Sequence, residues 1–288
     1  MTLLEKKHEF NKILFRWHKN GYRDMPWRNT DDPYRILISE IMLQQTQVDR
    51  VRTKYDEFLK KFPTVTVLAK APLGEVLRVW SGLGYNRRAK YLHECAKKVA
   101  AEYAGKFPAT FKELTALPGI GMSTAGALLA FSFGEEAPMI DTNVRRILTR
   151  VFFPQCQGVA LTLPSDKELY AFASALIPKG KGRAWNYAML DAGATRCTAR
   201  NHSPECPFVP LHGKVGDFVY KKPQKKFKES RRYYRGQILK LLATQHILDV
   251  HTLPEIFKKT DEEILSIVDD LEKERLILRR ADRIMLPR

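Results

Sequence analysis

The chain has 288 residues, with 49 Lys and Arg against 32 Asp and Glu, giving a formal charge of +17 and an isoelectric point near 9.7. Such an excess favours a polyanionic partner through counterion release and steered association, although ribosomal and membrane-surface proteins share it. No stretch reaches the ~18 uninterrupted apolar residues of a membrane span, Met1 to Lys7 lacks the apolar core of a secretory leader, and four widely spaced cysteines argue against a disulfide scaffold. A reducing cytoplasm, in association with the nucleoid, is the expected location.

Helical patterns dominate the chain. Asp49 to Phe62 and Arg87 to Tyr103 carry apolar residues at three-to-four spacing, and Ser123 to Phe133 is small and apolar throughout. Strand patterns are scarce before residue 270. From Lys214 to Arg235 the composition changes to nine Lys or Arg against two acids, with Pro223 among Lys221, Lys222, Lys225, Lys226 and Lys228. This reads either as a basic linker that touches phosphates or as a solvated connector. Beyond it, Arg235 to Ala243, Leu253 to Phe257 and Thr260 to Glu274 suggest three helices. Leu276 to Leu278 with Ile284 to Leu286 suggest a hairpin turning near Ala281 and Asp282. Three helices and a short hairpin make a winged-helix-like ending. The expected domains are a core over 1–213, a linker over 214–230 and this module over 231–288.

Chemistry-bearing residues concentrate around Leu117-Pro118-Gly119-Ile120-Gly121 and the later Ile140-Asp141-Thr142-Asn143. A glycine-punctuated turn between two helices brings backbone N–H groups close to a phosphate, because glycine has no Cβ to hold nucleic acid away. Gly119 and Gly121 are equally compatible with an ordinary helix cap, and Asp141 with the N-cap of a helix beginning at Thr142. Glu40 sits among apolar residues of a helical pattern, where partial desolvation would keep its carboxyl protonated near neutral pH. A surface helix glutamate is the plainer alternative. Asn143 reads either as an orienting amide or as a helix-start residue satisfying backbone groups.

Four further segments recur in the same order as in one known family: Pro26-Trp27-Arg28, Ser39 to Gln47, Gly82-Leu83-Gly84-Tyr85 and Asn186 to Asp191. With the Leu117 to Gly121 turn and Asp141, the chain resembles the MutY-type adenine DNA glycosylases of the helix-hairpin-helix superfamily, over roughly residues 10 to 212. The resemblance implies an all-α, two-lobed helix-hairpin-helix core, to which the winged-helix-like α+β module would be appended. It makes Glu40 the acid that protonates the adenine ring and Asp141 the carboxylate facing the sugar carbon. Two carboxylates with separated roles are the pattern of glycosidases. Asn143 would orient the carboxylates, and Trp27 and Arg28 would stand at the entrance of the base pocket, where an indole stacks and a guanidinium contacts a flipped base. Gln45, in the run Gln44-Gln45-Thr46, would insert beside the expelled adenine. Leu83, Gly84, Tyr85, Asn86 and Arg87, with Gly119, Gly121 and Ser123, would complete the DNA contacts. Ser123 stands where bifunctional relatives place the lysine that forms a Schiff base. No lysine lies between Leu117 and Asn143, so a monofunctional glycosylase without efficient strand cleavage is expected.

Three departures from the family pattern stand out. The family's iron–sulfur loop, usually C-x6-C-x2-C-x5-C, is represented by Cys197, Cys206 and His212, with one residue fewer between the two cysteines. Four thiolates are not available, so no cluster is expected. A Cys2His2 zinc site from Cys197, His202, Cys206 and His212 matches no common finger spacing, so neither metal nor cofactor is expected. Asn86 replaces a second tyrosine that wedges beside the lesion guanine in many relatives. The residues after 215 are too few and too helical for the Nudix-like domain that inspects 8-oxoguanine, leaving the winged-helix-like ending to add DNA affinity or dock a partner.

The expected activity is hydrolysis of the N-glycosidic bond of adenine opposite guanine or 8-oxoguanine in duplex DNA, by a monomer. A glycosylase for thymine or uracil opposite guanine is the neighbouring alternative. Glu40 weighs against it, because adenine departure depends more on ring protonation. A non-catalytic DNA-binding protein is the alternative from another class, and would not need Glu40, Asp141 and Asn143 together.

Overall fold

A computed structural model describes all residues except 20–22, 155–162, 201 and 219–225. Lys221, Lys222, Pro223 and Lys225 of the basic linker therefore lie outside the described residues. The described residues form helices α1 (Leu3–His18), α2 (Pro33–Leu43), α3 (Val48–Lys61), α4 (Val65–Lys70), α5 (Leu73–Trp80), α6 (Arg87–Glu102), α7 (Phe111–Thr115) and α8 (Met122–Ser132). There follow α9 (Thr142–Phe152), α10 (Asp166–Ser174), α11 (Gly182–Thr195), α12 (Val209–His212), α13 (Arg231–Gln245), α14 (Leu253–Phe257) and α15 (Asp261–Lys273). Three short strands, β1 (Ile247–Asp249), β2 (Leu278–Arg280) and β3 (Arg283–Met285), complete the chain. The fold is mostly helical with one small sheet near the C-terminus, as its periodicities imply.

Two compact units divide the chain, one of Met1–Leu37, Ala109–Ala116 and Ile120–Pro223, the other of Ile38–Pro108, Leu117–Gly119 and Gln224–Arg288. In the first, α1, α9, α10 and α11 enclose a core of Phe10, Leu14, Ile147, Leu148, Trp185 and Phe208 among others. Phe10 stacks on Phe208 with ring centroids 4.8 Å apart. Helix starts are chemically marked: Ser165 with Glu168 forms a capping box at α10, as Thr2 with Glu5 does at α1. Helix α8 is buried from Thr124 to Phe131, apolar all round, which is the signature of a central helix.

In the second unit, Phe58 meets the ring of Trp80 edge-on at 6.0 Å, and Val51, Tyr55, Val76 and Leu92 are buried with them. The C-terminal residues pack on α5 and α6. The backbone N–H of Gly74 donates to the Pro287 carbonyl at 2.8 Å, and a Cβ on Gly74 would sit 2.4 Å from that oxygen. Lys90 Nζ donates to the Glu274 carbonyl at 2.8 Å. The sheet order is β1-β3-β2, antiparallel throughout, with Arg280 opposite Arg283 across the Ala281–Asp282 turn. The turn falls at Ala281 and Asp282 as read, while the first strand lies two residues later than the Leu276–Leu278 reading, with Leu276 and Ile277 buried ahead of it, and the second starts one residue earlier, at Arg283. Helix α13 starts at Arg231 rather than Arg235, with the Ser230 hydroxyl accepting from the Tyr233 N–H. Strand β1 pairs with β3 and was not legible in the sequence.

Candidate active site

The carboxylate of Asp141 is placed by three successive constraints. The first is Asn186 on α11, fully buried, whose Oδ1 accepts from the Met139 N–H at 2.7 Å while its Nδ2 donates to the carbonyls of Ala137 and Gly182 at 2.9 and 2.8 Å. The side-chain amide thus supplies hydrogen-bond partners to the backbone of residues 137–139, as a neighbouring strand would. The second is close packing at Gly126 of α8, where a Cβ would fall 2.1 Å from the Pro138 oxygen. The third is the start of α9: Asp141 is the N-cap, its Oδ1 accepting the N–H groups of Asn143 and Val144 at 2.8 and 2.7 Å. The plainer reading of Asp141 as a cap is therefore correct as geometry. It leaves Oδ2, which accepts only from Asn143 Nδ2 at 3.0 Å among the described contacts.

Asn143 is itself held. Its Oδ1 accepts from Arg146 Nη2 at 2.8 Å, and Arg146 also donates to the carbonyls of Gly193 at 2.7 Å and Cys197 at 2.6 Å. A Cβ on Gly193 would approach Asn143 Cβ to 2.5 Å, so only glycine lets α11 come this close to the start of α9. Burial raises the Asp141 carboxyl above its ordinary range, against the opposing hydrogen bonds of Val144 and Asn143 and the charge of Arg146. Ser123 is half-buried in the first turn of α8, after Gly121, which is exposed and has open space where a Cβ would project.

Trp27 and Arg28 lie in a 3-10 turn, 5% and 8% exposed. The guanidinium of Arg28 grips Asp191 with both ends, Nη1 to Oδ2 and Nη2 to Oδ1 at 2.8 Å each, and lies 4.5 Å from the Tyr187 ring centroid. His18 Nε2 stands 3.4 Å from the same carboxylate. Burial alone would raise the Asp191 carboxyl, but the hydrogen bonds of His18 and Arg28 and the Arg28 charge hold it down at about 2. Much of the Arg28 guanidinium is thus engaged by protein.

In the other unit, Glu40 is 8% exposed on α2. Just beyond it two loops, 44–46 and 83–85, are tied together by Arg88. Its Nη1 donates to the carbonyls of Ile41 (2.7 Å), Met42 (2.9 Å) and Gln44, and its Nη2 to Thr46 Oγ1 (3.0 Å) and to the carbonyls of Leu83 (3.3 Å) and Gly84 (3.1 Å). Burial lowers this guanidinium to about 10. At the tips, Gln45 and Tyr85 have φ of 57° and 49°, a strained region for non-glycine residues that persists where the surroundings impose it. Both are exposed, whereas Leu83 is buried. The loops open on a groove of about 1180 Å³ lined also by Arg50, Arg87, Arg231, Arg232 and Lys240, with Asp270 and Glu274 the acids. Gly119, φ 77°, presses on Tyr91, leaving 2.8 Å for a Cβ.

The family model for HhH-GPD superfamily base excision DNA repair proteins matches residues 38–179. An adenine DNA glycosylase of Mycolicibacterium smegmatis is 42% identical over 199 residues, 69% of this chain and 66% of that protein. The human adenine DNA glycosylase is 38% identical over 213 residues, 70% of this chain and 38% of its own length. Among solved structures, a thermostable thymine-DNA glycosylase superposes with a TM-score of 0.66 at 32% identity, over 73% of this chain and 96% of that one. The chain is a MutY-type member of this superfamily. It spans just under two thirds, or less, of the adenine glycosylases it matches.

For a MutY-type chain the iron–sulfur loop is the point of disagreement. Cys197, His202, Cys206 and His212 converge, with one ligand atom from each lying within 4.8 Å of all the others. Two thiolates and two imidazoles this close do not fit a four-thiolate, four-iron cluster, and no step of the chemistry is routed through one. Arg88, Arg146, Asn186 and Asp191 are positioning residues that sequence reasoning passed over. Asn186 and Asp191 belong to a segment that carried the family resemblance, and the signal was their polarity inside an otherwise apolar helix. Arg88 and Arg146 gave no signal beyond charge.

Proposed function

We propose that the chain is a DNA glycosylase that hydrolyses the N-glycosidic bond of adenine opposite guanine or 8-oxoguanine. The observation that carries the reading is the Asp141 carboxylate, fixed as an N-cap with Oδ2 turned to Asn143, in a chain 42% identical to an adenine DNA glycosylase. Glu40 protonates the departing adenine as the bond from the ring nitrogen to the sugar carbon breaks. Asp141 stabilises the oxocarbenium-like centre that results, or captures it before water completes hydrolysis. Asn143 holds Asp141 and is held by Arg146. Neither step requires a redox centre or a Lewis acid.

The basic groove and its two Arg88-tied loops suit duplex DNA: Arg50, Arg87, Arg231, Arg232 and Lys240 supply phosphate charge, and Gln44, Gln45, Thr46, Tyr85 and Asn86 supply the groups that enter the stack or meet base edges. Gly121, the N-cap of α8, and Ser123 in its first turn offer backbone N–H groups to a phosphate. Trp27 and Arg28 form a wall of the base pocket, with Asp191 setting the guanidinium plane. Residues 231–288 act as an added DNA-binding module. Ser123 in place of a lysine makes the enzyme monofunctional.

The test compares wild type with Glu40→Gln, Asp141→Asn and Asn143→Ala on a duplex with one adenine mismatch, under single turnover. The expected result is retained duplex binding with base release reduced by about a hundredfold or more in the two carboxylate variants. Release at the wild-type rate from Asp141→Asn would refute the assignment.

A further inference from the structure

We propose that Cys197, His202, Cys206 and His212 form a mononuclear structural metal site of zinc class, which the spacing of these residues alone did not lead one to expect. The four lie at the end of α11, in the following loop and at the end of α12, so the site cross-links helices that pack on α9. Their ligand atoms lie within 4.8 Å of one another. Tetrahedral zinc with bonds of about 2.0–2.3 Å requires ligands roughly 3.3–3.8 Å apart. The four ligand atoms, all within 4.8 Å of one another with Cys206 Sγ and His212 Nε2 at 3.6 Å, need only a small contraction to reach those separations. The cluster is too tight for a Rieske-type arrangement, in which two cysteines and two histidines hold separate irons bridged by sulfide.

Local chemistry agrees with the count of donors. His212 Nδ1 lies 2.7 Å from the Gly213 carbonyl, so Nδ1 carries the proton and Nε2 presents a lone pair, 3.6 Å from Cys206 Sγ. A histidine ligand oriented by a backbone carbonyl through its other nitrogen is the usual support of a metal site. His202 Nε2 is buried and meets no hydrogen bond of good geometry among the described residues, although its side chain interacts with the Cys197 sulfur, and its ring centroid is 5.0 Å from that of His212. A buried polar nitrogen without such a partner is costly unless something else satisfies it. Cys197 and Cys206 are 0% and 3% exposed, and neither is in a disulfide. Arg150 Nη1 stands 3.4 Å from Cys197 Sγ, where it supports thiolate charge. Two thiolates and two neutral imidazoles suit zinc better than the oxygen-seeking magnesium or calcium.

The site also touches the proposed chemistry. The Cys197 carbonyl accepts from Arg146, which holds Asn143, which holds Asp141. Metal at this loop would therefore stiffen the base of the catalytic carboxylate without meeting substrate.

The experiment uses the full chain, purified without chelator and with its thiols reduced. Elemental analysis is expected to find one zinc per chain. Chelation should lower the melting temperature, and added zinc should restore it. Replacement by Co(II) alone should give the intense visible ligand-field bands of a tetrahedral S2N2 site. Cys206→Ser is expected to lose the metal and the cobalt bands. His212→Cys is expected to keep one metal and shift the cobalt bands to longer wavelength, as a third thiolate enters. This second variant decides the matter if the first does not fold. Reduced, folded protein that retains no zinc and gives no cobalt bands would overturn the proposal, as would iron with acid-labile sulfide or cobalt bands unchanged in His212→Cys.

Discussion

Arg28→Met isolates the energetics of the buried pair beneath the proposed base pocket. The side chains of Arg28 and Asp191 are 5% and 4% exposed and joined by two bonds of 2.8 Å. Removing the cation leaves a buried carboxylate with only the His18 ring and the Arg23 N–H, at 3.4 and 3.2 Å, as its remaining described contacts. Breaking such a pair from one side costs about 3–5 kcal/mol, and the surviving contacts place this case near the lower end. A loss of about 3 kcal/mol corresponds to a melting temperature lowered by roughly 6–12 °C. The double variant Arg28→Met/Asp191→Leu removes both charges and should recover most of the loss, because an apolar pair of similar volume has no desolvation penalty.

The pH dependence follows with a definite sign. Asp191 is held at about 2 in the fold against about 3.9 unfolded, so its contribution is complete above about pH 4 and disappears as pH falls through 2. In Arg28→Met that acid-side slope flattens. Urea unfolding followed by circular dichroism measures each quantity. A single variant within about 1 kcal/mol of wild type, or a double variant no more stable than the single, would refute the reasoning.

Other perturbations test the placement of Asp141 and of the two loops. Because burial raises the Asp141 carboxyl, the single-turnover rate should fall on the acid side with a midpoint above the ordinary aspartate value of about 3.9; a rate unchanged down to that value would contradict the assignment. Gly193→Ala forces a methyl against Asn143, 2.5 Å away. Base release should slow by about 10–100-fold with duplex affinity unchanged, since a displacement near 1 Å costs that much. Arg88→Met unties loops 44–46 and 83–85 and should weaken duplex binding by about tenfold, with faster amide exchange in both loops; exchange confined to one would mean that Arg88 does not couple them.

Much of the architecture was written in local signals. Thr260, read as a helix start, forms a capping box with Glu263, whereas the same signal at Ser165 and Glu168 was passed over. The Asp141 cap and Asn143 beside it were readable because helix starts use short-range chemistry. Strand β1 was not, because three residues are too few for a period of two to register and its pairing with β3 is formed across more than thirty residues of chain. Helix α13 begins in residues dominated by charge, and Ser230 was overlooked as its cap. Arg88 and Arg146 could not be told from solvated arginines, because their carbonyl partners lie on separate segments. The convergence of Cys197, His202, Cys206 and His212 depends on how the loop folds back, and spacing alone pointed the other way.

The central claim is tested most directly by single-turnover base release from duplexes carrying A opposite G, A opposite 8-oxoguanine and T opposite G, followed by alkali to reveal abasic sites. The account predicts cleavage of the adenine strand alone, dependent on the alkali step because Ser123 forms no Schiff base. Cleavage of the thymine strand, or of no strand, would contradict it.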